Sequence, residues 1–232
     1  MKLDMRIVVR AAVIATWAGF LGWLWASGEM VRYLGPRTYW VIVFGTIVLG
    51  LAALAHLPWL MSHEGSAVGR REVISALVVV APLALVVAVP QPSLGSLAAS
   101  RKASFGGGAG PALIVPDARN DGSLSFIDFY YGDRSEGYAA EAGLAEGRVL
   151  ALEGFVSRAS ASGLDLTRFY ISCCAADAVP YSVHVVHPPR TVAYEANGWL
   201  RVRGVVARDD RGRYVLEATA ITPMREPRDP YL

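Results

Sequence analysis

Charge is scarce in this sequence. Only 18% of its 232 residues are Asp, Glu, Lys or Arg, against 53% hydrophobic residues, whereas soluble domains carry about 25% charged residues. An ordinary soluble protein is excluded. Because the deficit lies almost entirely before Pro92, the composition predicts a membrane part and a separate globular part. The net charge of +2 leaves no global case for nucleic acid as a partner. Cysteine is confined to the adjacent Cys173 and Cys174, so there is no disulfide framework. Catalytic signatures are missing too: there is no Gly-x-Ser-x-Gly elbow, no His-Glu-x-x-His and no Walker loop. Asp128, Asp133, Glu136 and Glu141 are scattered as on a solvated face. The residues therefore point away from an enzyme.

Long apolar runs are what the first part does have. Ile7 to Ala26 is free of charge after Arg10, and at about 1.5 Å per residue it spans roughly 30 Å, a bilayer core. Trp23 and Trp25 stand near its end, where amphipathic rings favour the interface. A cleaved signal peptide is the competing reading; the run's length and the two runs that follow weigh against it. Tyr39 to Leu60 is framed by Trp40 and Trp59, with His56 as its one ionisable residue, close to the far end. Val73 to Val89 is shorter and contains Pro82, which removes a backbone donor and predicts a kink; a re-entrant segment is the alternative. Three transmembrane helices are expected, at about 7–26, 39–60 and 73–89, within a domain covering 1–91. Loop charge sets orientation. Lys2, Arg6, Arg10, Arg70 and Arg71 lie on one side, and Arg32, Arg37, Arg101 and Lys102 on the other. The bias favours a cytoplasmic N-terminus, hence a multi-pass protein of the cell membrane with an extracytoplasmic C-terminal domain.

Residues 92–111 are rich in Pro, Ser, Gly and Ala, with Gly106-Gly107-Gly108 near the centre, and read as a flexible tether. From 112 to 232 short alternating runs are broken by turn residues. Leu124 to Tyr131 is too short to decide helix from strand, and Tyr138 to Leu144 reads as a short helix. Strands are expected at Val149–Ser157, Arg168–Cys174, Tyr181–Val186, Trp199–Arg208 and Tyr214–Ile221, with a hairpin turn at Asp209-Asp210-Arg211-Gly212. Five short strands fit a mainly-β domain, a small OB-like barrel; a small open sandwich is the rival.

Both cysteines sit in Arg168-Phe169-Tyr170-Ile171-Ser172-Cys173-Cys174-Ala175-Ala176-Asp177-Ala178. With Phe169 and Ile171 facing inward, alternation carries Cys173 inward and Cys174 outward, so both can face one ion only if the strand ends or bulges there. Asp177 is near in sequence, His184 lies on the next strand, and His187 follows. Thiolate, carboxylate and imidazole are zinc ligands, although the spacing matches no standard structural zinc pattern. Three readings stand. Cys173, Cys174, Asp177 and His184 bind zinc or another soft metal; or the vicinal thiols do redox work; or Cys173 is a small buried apolar residue beside a turn capped by Asp177.

The cysteine stretch is joined by Glu153-Gly154-Phe155-Val156, Trp199-Leu200-Arg201-Val202-Arg203-Gly204 and Pro230-Tyr231. In the front half stand Ala26-Ser27-Gly28-Glu29, Tyr33-Leu34, Ser93-Leu94 and Ala98 to Lys102. Over nearly the whole chain these residues resemble the YcgQ-type family of bacterial membrane proteins, with Cys-Cys-x-Ala-Asp-Ala as the most specific element. The resemblance implies one subunit of a two-component permease, partnered with a larger polytopic protein. It also brings metal ions in as a candidate substrate, partly through a histidine-rich loop between the second and third helices of many members. Here that loop keeps only His63 after His56, a departure that weakens the metal idea. The expected function is thus an accessory permease subunit whose β domain binds substrate or docks on the partner. The alternative is a membrane-tethered thiol redox protein or sensor; a third reading is a recruiting protein that transports nothing.

Overall fold

The computed structural model describes residues 4–60, 68–88, 93–106, 123–186 and 194–232. His63, the middle of the glycine run at Gly107-Gly108, and His187 lie outside them. The chain forms two compact units, Met1–Pro92 with Ser172–Cys174, and Ser93–Ile171 with Ala175–Leu232.

The first unit contains α1 (Met5–Ser27), α2 (Tyr39–Ala55), the single turn α3 (Leu57–Leu60) and α4 (Arg70–Ala88). Three stretches, Met5–Ser27, Pro36–Leu60 and Arg70–Ala88, are long and apolar enough to cross a membrane. Asp4 opens α1 by accepting the Arg6 N–H at 3.0 Å, an N-cap bond. Gly28 closes it at φ 76°, a left-handed position that suits glycine, with its N–H on Trp25 O. Pro82 lies inside α4, which runs through it as one helix. Small residues line the α1–α2 approach: a Cβ on Gly22 would sit 3.5 Å from Thr46, and one on Gly45 3.0 Å from Leu21. Close backbone approach of this kind drives helix association where no hydrophobic force operates. Trp40, Phe44, Ile47, Leu51 and Leu54 form an exposed stripe along α2, a surface that hydrocarbon solvates at no cost.

The second unit opens with α5 (Ser96–Gly106), inside the stretch read as a tether. The Leu-Ala-Ala-Ser-Arg-Lys-Ala segment supplies good helix formers, and Ala99 is buried with Phe155 and Phe169. The undecided run resolves as helix α6 (Phe126–Gly132), begun by a capping box in which the Ser125 N–H donates to Asp128 Oδ2 at 2.6 Å. Helix α7 (Glu136–Ala142) follows, closed by Gly143 at φ 69°.

Five strands then form the sheet: β1 (Val149–Ser160), β2 (Gly163–Tyr170), β3 (Val179–Val186), β4 (Trp199–Arg208) and β5 (Tyr214–Met224). They close in a ring, β1-β2-β3-β5-β4, and β4 returns to β1. The parallel β3–β5 closure is brief, two residue pairs at Val185–Leu216 and Val186–Glu217, so the ring is an irregular barrel of OB-like order. β2 departs from expectation: it begins at Gly163 and ends at Tyr170, before the cysteines. Its last partners are Pro180 and Val179, and proline has no N–H with which to extend a ladder.

Two cores hold the domain. Leu152, Leu164, Leu166, Val183, Val185, Val202 and Leu216 fill the barrel together with Phe126 and Phe129 of α6. Phe155, Phe169, Ile171, Ala178, Trp199 and Tyr231 pack with Ala99 as a second core. Phe155 stacks on Phe169 with centroids 5.8 Å apart. Most of this second core comes from residues that carry the family resemblance, so much of that resemblance is packing. Gly154 sits tightly against β2 and α6: a Cβ there would lie 2.7 Å from Thr167 O and 2.9 Å from Phe126 Cζ. Gly154→Ala is therefore expected to cost about 1–3 kcal/mol. Gly137→Ala, whose Cβ would meet only Ser135 Oγ at 3.7 Å, is expected to be neutral or to stabilise by less than about 1 kcal/mol. Thermal unfolding of the full chain in detergent checks the pair; equal effects would contradict the packing described.

Candidate ligand cleft and the vicinal cysteines

Side-chain alternation orders the outer face of β1, β2 and β3 into rows. Leu164 and Leu166 point into the barrel and are buried, so Asp165, Thr167 and Phe169 point out. At one end Phe155 and Phe169 belong to the second core. Next comes a hydroxyl row, with Thr167 Oγ1 2.7 Å from both Ser157 Oγ and Ser182 Oγ. Thr167 is fully buried, and these partners satisfy it. The last row is charged. Arg158 of β1 stands opposite Asp165 of β2, which stands opposite His184 of β3.

This charged row is the floor of a cleft of about 340 Å³, lined by Arg158, Ser160, Ser162, Asp165, His184 and Arg213. His184 Nδ1 lies 2.8 Å from Asp165 Oδ1, both side chains about one-third exposed. That bond fixes the ring and leaves Nε2 at the Gly163 side, where a Cβ on Gly163 would approach within 3.0 Å. Arg213 is held by Asp209 through Nε at 2.9 Å and Nη2 at 2.6 Å. Burial weakly opposes ionisation of Asp209, but the N–H groups of Arg213 and Arg211 and the Arg213 guanidinium outweigh it and hold the carboxyl below its usual range. The next residue, Tyr214, donates its N–H to Asp133 Oδ1 at 2.7 Å, tying the start of β5 to the end of α6.

The cysteines lie elsewhere. His184 pairs near the Gly163 end of the β2–β3 ladder, whereas Cys173 and Cys174 follow its Tyr170 end. Among the described residues no group of three or more His, Cys, Asp or Glu side chains is placed to hold a metal ion; Cys173, Cys174, Asp177 and His184 do not converge. Nor is Cys173 the buried apolar residue of the third reading. It is exposed and Cys174 half-buried, because the alternation stops with the strand. Their Sγ atoms are 3.8 Å apart. Within the first unit, Cys173 O accepts the Gly35 N–H at 3.1 Å and the Thr38 hydroxyl at 2.7 Å. Asp177 ends a 3-10 turn, Ala175–Asp177. Lys102 spans that turn, donating to Ala176 O at 2.9 Å and Ala178 O at 2.6 Å.

Sequence reasoning found His184 and missed its neighbours. Arg158, Ser160, Ser162 and Asp165 were hidden by starting the second strand at Arg168 rather than Gly163. The usable signal was Ser160-Ala161-Ser162-Gly163, a hairpin turn between two alternating runs.

Residues 119–232 match the family model of the DUF1980 C-terminal domain. Over that stretch, just under half of the chain, the β unit is similar to a DUF1980 C-terminal domain. The match covers every strand, the cleft and the cysteine stretch. A search of curated proteins finds no match to the chain.

Two outcomes follow for the matched region. Adjacent trans residues hold their Cα atoms about 3.8 Å apart, below the usual disulfide range of about 4.4–6.8 Å. A thiol-specific reagent applied to the unfolded chain is therefore expected to count two thiols with or without prior reductant, and in the folded chain Cys173 reacts first; a reducible Cys173–Cys174 bond would contradict this. The second concerns Asp133, whose carboxyl is raised by burial against the opposing Tyr214 N–H and Arg213 charge. A raised acid pKa contributes stability that is complete below the ordinary Asp value and lost as pH rises through the folded value. Asp133→Asn keeps the acceptor for Tyr214 without that titration. Its melting temperature relative to wild type is expected to rise as the pH is taken up through and above the ordinary Asp range; a constant difference would contradict it.

Proposed function

We propose that this chain is an accessory subunit of a membrane permease complex, whose β domain binds a small anionic or hydroxyl-rich solute at the Arg158–Asp165–His184 cleft. The observation that carries this reading is the position of the cleft. OB-type barrels take ligands on the face of the second and third strands, between the loops joining strands one to two and four to five. Here those loops supply Ser162 and Arg213, and the strands supply Ser160, Asp165 and His184. The guanidinium of Arg158 and the two serine hydroxyls offer donors to an acidic or polyhydroxylated ligand. Three apolar helices hold the domain at a membrane, and the family resemblance supplies the permease partner. A fold-level analogy of this kind sets an expectation for the site.

Calorimetric titration of the full chain in mild detergent with phosphate, sulfate, small carboxylates and sugar acids tests the solute. Saturable binding of one class is expected, weakened about 10–100-fold in Arg158→Ala, the loss of a charge-assisted hydrogen bond, with an unchanged melting curve. Absence of binding across the panel, or equal binding by the variant, would contradict the cleft. The subunit role is tested by purification from native membrane, where a polytopic partner is expected in stoichiometric amount; recovery of the chain alone counts against it. The thiol redox alternative draws on the exposure of Cys173 beside Cys174, and the thiol count decides it.

A further inference from the structure

The first unit carries a site of different chemistry. A cavity of about 520 Å³ opens between α1, the end of α2 and the start of α4, within the roughly 300–1,000 Å³ of small-molecule sites. Its polarity is graded along the helices. At the helix starts it is lined by Arg6, Arg10, Arg71, Glu72 and Ser75, with His56 from the end of α2. Deeper along the same helices it is lined by Val13, Ile14, Ala76 and Val79. Arg10 and Ile14 are one helical turn apart, about 6 Å in depth, so charged head and apolar wall follow each other within one amphiphile's reach.

Among the described residues the charge does not balance. Three guanidiniums face one carboxylate. That carboxylate is engaged already, since Glu72 Oε1 pairs with Arg6 Nε at 3.3 Å and Oε2 accepts the Gly69 N–H at 3.0 Å. Among the described residues nothing of opposite charge pairs with Arg10 or Arg71. His56 Nδ1 is committed to Ala52 O at 2.7 Å, leaving its other ring nitrogen. Arg10 and His56 also line an adjoining cavity of about 380 Å³ with Ile7, Ala55 and Trp59. A guanidinium five residues inside an apolar span calls for a counter-charge at the interface.

We infer that this cavity binds the headgroup of an anionic phospholipid. The phosphate would sit against Arg10 and Arg71, with the acyl chains along Val13, Ile14 and Val79. Basic pockets between transmembrane helices are suited to such headgroups. The test uses the full chain, delipidated in mild detergent, with native mass spectrometry counting bound lipid. Phosphatidylglycerol and phosphatidylcholine of one chain length are titrated against wild type, and inorganic phosphate is titrated separately. Wild type is expected to retain one phosphatidylglycerol in preference to phosphatidylcholine. In Arg10→Gln/Arg71→Gln that preference falls about 30-fold, from the worth of two basic side chains at a membrane surface, while phosphatidylcholine binding stays unchanged; Arg10→Lys/Arg71→Lys keeps most of it. Should the double variant fail to fold, Arg71→Gln alone, at the exposed start of α4, is expected to lose about 5-fold. Equal binding of the two lipids by wild type, or a preference untouched by the Gln variants, would overturn the inference. Inorganic phosphate binding as tightly as the lipid would overturn it in favour of a soluble-anion site.

Discussion

Strand β2 is covered on both faces along most of its length, and this double burial determines where the β domain can do chemistry. Its inner face, Leu164 and Leu166, fills the barrel, while Phe169 on its outer face lies under the second core. Thr167 sits between, buried and satisfied by Ser157 and Ser182. On the outer face the cover ends at Asp165, which is only half-buried. A strand buried on both faces tolerates polar groups only where partners exist, so the open end of the row is where a charged triplet can be both ordered and wet.

The two units solve the burial problem in opposite ways. In the β unit apolar side chains leave water by packing on each other, and the helices α5 and α6 complete that packing. In the helical unit large apolar side chains such as Trp40, Phe44 and Leu51 point outward. That arrangement suits lipid, where a helix satisfies its own backbone, and three helices of the unit are long and apolar enough to cross a membrane. Among the described residues of this unit, the charged groups, such as Arg6, Arg10, Arg71 and Glu72, stand near helix ends.

Much of this was legible in the residues. Apolar runs locate all three spans because length and hydropathy are global properties of a segment. Alternation and turn residues locate five strands for the same reason. The end of β2 was not legible, because it depends on Pro180 arriving opposite Phe169, a matter of register between distant residues. The helix at Ser96–Gly106 was hidden by its small residues, which read as tether until Ala99 is seen beneath Phe155. The candidate site divided similarly. The Cys-Cys stretch drew attention by its rarity, yet it lies beyond the strand, and among the described residues no third ligand joins it. The cleft is assembled from residues on three strands and two loops, and only His184 of that set stood out in one dimension.

Hydrogen exchange of the full chain in lipid nanodiscs, resolved to short peptides, addresses the double burial of β2 most directly. The account predicts that amides of residues 164–169 exchange most slowly in the β unit, while the turn at 160–163 on the cleft rim exchanges orders of magnitude faster. Exchange of β2 as fast as that turn would contradict it.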